Sequence, residues 1–151
     1  MAGNTDPIYS RKGSIAWSAA TSGNTLGKAT YRTSTYDGSN ATTDAIVFTA
    51  DATNGSFVQR IRFKAGNGAN ATAAVARIWI NNGSAQTTAA NNTLYDEISL
   101  PTTTTSTTAA TASIDLQMNF ALPAGYRIIV GVSSSADLAG GWVATVIGGD
   151  Y

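Results

Sequence analysis

The chain has 151 residues, a formal net charge of zero and only 12% charged residues. It contains neither histidine nor cysteine, which removes the usual general base at neutral pH and the usual ligands for zinc, iron and copper. Disulfide staples are excluded as well, and zero net charge argues against nonspecific nucleic-acid binding.

The length suits one domain. The apolar fraction is 43%, but much of it is alanine, so the large core residues must concentrate in a few strands. No run approaches the ~18 apolar residues that span a bilayer. Residues 1–12 hold no apolar stretch of signal-peptide type, so the expectation is a chain made in a cytoplasm that leaves it by a route such as lysis. Residues 1–80 carry eight Lys/Arg against four Asp, whereas the remainder carries Arg127 against four Asp and Glu97. A sandwich, which interleaves distant strands, would bring these halves together.

In chain order, residues 1–13 read as an extended N-terminal arm, with Pro7, turn formers, and Ile8-Tyr9 as the apolar pair. Residues 18–43 are rich in Ser, Thr, Gly and Asn, and the reading is either a loop over the surface or weak strands around 15–17 and 30–33. Residues 44–50 (DAIVFTA) read as a core strand. Asn54-Gly55 follows as a hairpin signal. In residues 56–65 (SFVQRIRFKA), alternation puts Phe57, Ile61 and Phe63 on one face and Arg60, Arg62 and Lys64 on the other. The glycine-rich turn 66–70 leads to residues 73–81 (AAVARIWIN), where Ala76, Ile78 and Ile80 alternate with Val75, Arg77 and Trp79.

After a polar loop come residues 94–100 (LYDEISL), then PTTTTSTTAAT, read as one exposed connection. The clearest alternation is 113–120 (SIDLQMNF), followed by strands at 126–132 and 142–147. These seven or eight strands and the absence of a 3.6-residue period predict an all-β fold: a single antiparallel β-sandwich, jelly-roll-like, over residues 14–151. The expected core is Phe48, Ile61, Phe63, Ile78, Ile80, Ile114, Leu116, Met118, Phe120, Ile128 and Val130.

Little in the chain suggests catalysis. Asp96 and Glu97 are adjacent on a strand and so point to opposite faces, whereas paired glycosidase carboxylates must face each other. The loop DATNG (51–55) lacks the spacing and terminal Glu of a calcium loop, and turn chemistry accounts for it. GNGAN (66–70) opens a strand rather than a helix, so it offers no phosphate cradle. The expectation is a non-enzymatic protein with no catalytic, cofactor or metal site.

The candidate interface residues are the arm positions Pro7, Ile8 and Tyr9, the basic strip Arg60, Arg62 and Lys64, and the outward pair Arg77 and Trp79 on the neighbouring strand, which with the strip would make one basic and aromatic patch. A strand spaces alternate residues about 7 Å apart, and Arg and Trp are frequent binding hot spots. The competing reading of the strip is a solvated face neutralised by Asp96, Glu97 or Asp115.

Several segments together carry a resemblance: NTDPIY (4–9), VFTADATNGSFVQRIRFKA (47–65), VARIWINNG (75–83), LYDEISL, NFALPAGYRI (119–128) and VIGGDY (146–151). They resemble small virion structural proteins of tailed bacteriophages, of the capsid decoration or cement type. The resemblance implies a β-sandwich on the capsid exterior, partnered by the major capsid protein and by further copies of itself, a trimer favoured. It implies synthesis in the host bacterial cytoplasm and no nucleic-acid or membrane partner. The alternative is a receptor- or glycan-binding module of a phage tail or fibre, using Tyr31, Tyr36 and Tyr95.

Overall fold

The computed structural model describes residues 11–18, 28–29, 45–65, 70–133 and 141–151. These form nine strands: β1 (Lys12–Trp17), β2 (Lys28–Ala29), β3 (Ala45–Thr49), β4 (Ser56–Ala65), β5 (Ala74–Asn81), β6 (Asn92–Leu100), β7 (Ser113–Leu122), β8 (Arg127–Ser133) and β9 (Trp142–Asp150). A single 3₁₀ turn at Ala89–Asn91 precedes β6, and among the described residues there is no α-helix. The strand β1 begins at Lys12, so Lys12 and Gly13 belong to the sheet and not to the arm expected over 1–13. Residues 1–10 of that arm, and the weak strand considered around 30–33, lie outside the described residues, whereas the Arg11 amide donates to the Asp150 carbonyl at 2.7 Å.

The strands form two sheets. One runs β1-β9-β4-β7; the other runs β2-β8-β5-β6, with β3 also paired to β8. All pairings are antiparallel except the short β2–β8 contact, which is parallel. Of consecutive strands only β5 and β6 pair; β2 and β3 share the edge of β8, and every other step between described strands passes from one sheet to the other.

This overturns two local expectations. The Asn54-Gly55 turn does not close a hairpin, because β3 pairs β8 while β4 pairs β7 and β9. Instead it arches between the sheets. Asp51 Oδ1 accepts hydrogen bonds from the amides of Thr53 (3.0 Å) and Asn54 (2.8 Å), and Gly55 takes φ +80°, a conformation that glycine adopts at no steric cost. Ser56 Oγ accepts from the Asp51 amide and donates to Asp150 Oδ1 at 2.6 Å, which ties the arch to β9. Likewise β4 and β5, read as neighbours across a glycine-rich turn, lie in opposite sheets.

The core fills the space between the sheets. Phe48, Ile61, Phe63, Ile78, Met118, Ile128 and Val130 are buried there as alternation predicts, with Ile80, Ile114, Leu116 and Phe120 partly buried against them. Phe57 departs from the expected face. A register shift between Val58 and Arg60 gives the core position to Val58, which is fully buried, and Phe57 is only half-buried. A bulge adds a residue and moves everything on one side of it to the opposite face. A second bulge, between Ile46 and Phe48, lets Val47 and Phe48 both enter the core while Ile46 stays exposed.

The threonine-rich connection is exposed yet anchored. Ala71 and Thr103 exchange two backbone hydrogen bonds (2.9 and 2.8 Å), and the Thr105 amide donates to Asn70 Oδ1 at 3.1 Å.

Candidate functional site

The outer face of the β1-β9-β4-β7 sheet gathers the most distinctive exposed side chains. Along β1, Ala16 turns toward the core, so its neighbours Ile15 and Trp17 turn outward. They are 63% and 54% exposed, unusual for side chains that normally supply core area. In register, Ile15 lies beside Ile147 of β9, which lies beside Arg60 of β4; Trp17 lies beside Thr145, which lies beside Arg62. Strands sit about 4.8 Å apart, so the apolar margin at β1 and the basic strip on β4 are roughly 10 Å apart on one surface.

The expected sharing of a face by Arg60, Arg62 and Lys64 holds: all three lie opposite the buried Ile61 and Phe63. Their charges are not equivalent. Arg62 meets Asp115 of β7 in a two-pronged pair, with Nε to Oδ1 and Nη2 to Oδ2 both at 2.8 Å. The Arg62 hydrogen bond holds the Asp115 carboxyl below the usual carboxylate range, outweighing the opposing effect of burial. Asp115 in turn raises the Arg62 pKa. Lys64 Nζ donates to the carbonyl of Thr111 at 2.8 Å. Among the described residues Arg60 has no ion pair, and its Nε is shielded from solvent without a hydrogen-bond acceptor.

Arg77 and Trp79 do not join this surface. They lie on β5, in the other sheet, so the single basic and aromatic patch expected from sequence is split between opposite outer faces. Arg77 pairs with Glu97, its cross-strand neighbour. Trp79 is 2% exposed, in a small apolar cluster with Ile129 and Leu94 on the face away from the main core. Those two residues flank it in register on β8 and β6, so Trp79 is a packing residue and not an exposed anchor.

Pro7, Ile8 and Tyr9 lie outside the described residues, as do Tyr31 and Tyr36. Tyr95 is 43% exposed but sits on β6 and packs against Phe120 of β7, with ring centroids 5.2 Å apart and the rings tilted by 49°, where it bridges the two sheets at their β6/β7 edge. Among the described residues no group of three or more acidic side chains gathers to hold a metal ion.

Ile15 and Trp17 were not among the candidates that sequence reasoning selected. The signal for them was the alternation KGSIAW, in which the small residues Ser14 and Ala16 share one face and the large ones the other. No family model, curated protein or solved structure matches this chain.

Proposed function

We propose that this protein is a non-enzymatic virion structural protein of a tailed bacteriophage, a decoration or cement protein that stabilises the head from outside by contacts with the major capsid protein. The observation that carries the reading is the strand order. With β2 and β3 counted as one position beside β8, four strands in the order 1-8-3-6 face four in the order 2-7-4-5. That order suits a jelly roll, an architecture common in viral capsid domains.

Fold alone does not fix function, and the surface adds support to the strand order. The β1-β9-β4-β7 face carries the basic strip on β4, where Arg60 has no ion pair among the described residues, which suits a flat protein partner with acidic ground. A chain without histidine or cysteine is consistent with adhesion as its task. The N-terminal residues, with Pro7, Ile8 and Tyr9, are proposed as a second attachment point, and repeated modest contacts would add through effective concentration. On this reading the protein is made in the host bacterial cytoplasm and resides on the capsid exterior.

The test is co-sedimentation with undecorated phage heads, followed by electron microscopy of the loaded particles. Density at repeating lattice positions, lost with Arg60→Glu and weakened by deletion of residues 2–10, is the expected result. Copies confined to the tail tip, or binding to glycans but not to heads, would overturn it in favour of an adsorption module.

A further inference from the structure

The geometry points to β1 as the interface between two copies of this chain, paired antiparallel about Ile15 so that two β1-β9-β4-β7 sheets join into one. Three observations carry this, and none depends on the capsid reading.

The first is the state of the edges. Among the described residues β1 has β9 on one side and no strand on the other. The Ser18 amide donates to the Ala144 carbonyl at 3.0 Å, which fixes the phase of the β1–β9 ladder. Ser14 and Ala16 therefore hydrogen-bond toward β9, and the amides and carbonyls of Gly13, Ile15 and Trp17 point away from it. An unpaired edge of this kind is a template for another strand unless charge, proline or a bulge protects it. The opposite edge, β7, is protected: it carries a bulge with Asn119 at φ 49°, and Asp115, Gln117 and Asn119 line its exposed face. The six residues of β1 contain no proline, no bulge and a single charge, Lys12 at its start.

The second is self-complementarity. A two-fold axis at Ile15 places each Ile15 opposite its mate and each Trp17 opposite Gly13 of the other copy. All of these lie on the outer face and use the backbone groups that point away from β9. Gly13 is exposed, with open space where a side chain would stand, so the indole has a shallow floor to lie on. The exposed areas of Ile15 and Trp17 then cover each other. An isologous contact of this kind uses one patch twice and closes on itself.

The third is charge. Parallel pairing would stack Arg11 and Lys12 on their counterparts. The antiparallel register sets Lys12 opposite Ser18 and separates the two Lys12 residues by about six positions along the strand, roughly 20 Å. That is beyond the screening length of about 8 Å at physiological salt. A three-fold ring would instead require β1 to meet a different, protected edge.

The experiment exploits the absence of native cysteine. Paired residues that exchange hydrogen bonds have Cα atoms about 5.5 Å apart, within disulfide range. Under mild oxidation Ile15→Cys should give a covalent dimer in near-quantitative yield, while Gly13→Cys, whose mate lies far along the strand, should not. Light scattering at high micromolar concentration should return twice the protomer mass for the wild type. It should return the protomer mass for Ile15→Lys, which puts two lysines at the axis. Circular dichroism of Ile15→Lys should match the wild type, because the side chain is exposed. A monomeric or trimeric wild type, or equal cross-linking of the two cysteine variants, would overturn the interface while leaving capsid binding open to its own test.

Discussion

The bulge in β4 can be tested with two phenylalanines that sequence alternation treats alike. Phe63 is fully buried between the sheets, whereas the shift between Val58 and Arg60 leaves Phe57 half-buried on the outer face. Truncating a fully buried Phe to Ala removes its transfer energy and leaves a cavity, which together cost about 3–5 kcal/mol. At Phe57 the side chain is partly buried on the outer face, so its loss leaves no closed cavity and solvent fills the space it vacates. Only part of the transfer energy is lost and the cavity cost is absent, so the expected cost is about 2–3 kcal/mol. Urea titrations followed by tryptophan fluorescence and circular dichroism would give both values, provided that the slope with denaturant stays constant. Phe63→Ala should consume much of the ~5–15 kcal/mol expected for a domain, and Phe57→Ala should leave a well-folded protein. Equal costs, or a larger cost at Phe57, would mean that the two rings share a face and that the bulge is misplaced.

Two further outcomes follow from single contacts. At Gly148 an added Cβ would overlap the carbonyl oxygen of Phe57, a backbone atom that cannot swing aside, so Gly148→Ala should cost about 1–3 kcal/mol or more. An unchanged melting temperature would show that β9 and β4 have room there. Asp115 is held below its ordinary value of 3.8, chiefly by the Arg62 hydrogen bond. Its contribution is therefore present above that value and lost as pH falls through the lower folded one. The stability gap between wild type and Asp115→Asn should be constant near neutrality and narrow in acid; a gap that widened in acid would contradict the pairing.

Strand positions were legible because period-two alternation is a local property, and 113–120 shows why. Every second residue from Ile114 faces the core, and the strand simply continues to Leu122. Pairing was not legible, because a turn sequence states how the chain bends and not which sheet receives it. Asn54-Gly55 makes the tight, Asp51-capped bend its residues favour, but the strands on either side join different sheets. Bulges were invisible for a related reason. Nothing in SFVQRIRF marks Val58 rather than Phe57 as the core residue, since the shift is set by partner strands some sixty and ninety residues away, at Phe120 and Gly148.

The candidate surface failed in sequence for the same physical reason in reverse. Arg77-Ile78-Trp79 and Ile15-Ala16-Trp17 both place a tryptophan on the side away from the core residue beside it, Ile78 or Ala16. What separates them is the neighbourhood. Trp79 sits on a central strand, where Ile129 and Leu94 flank it in register and the cluster is buried. Trp17 sits on a strand with one described neighbour, beside Thr145, and keeps more than half of its area in water. An aromatic residue on an outer sheet face is therefore packing or interface according to whether its strand is central or at an edge. Strand order decides that, and strand order is the property that local pattern does not encode. An edge strand that keeps Ile15 and Trp17 exposed, without the charge or bulge that protects β7, has apolar area and outward-pointing backbone groups with no partner strand among the described residues, and these are what the proposed pairing of two copies would cover.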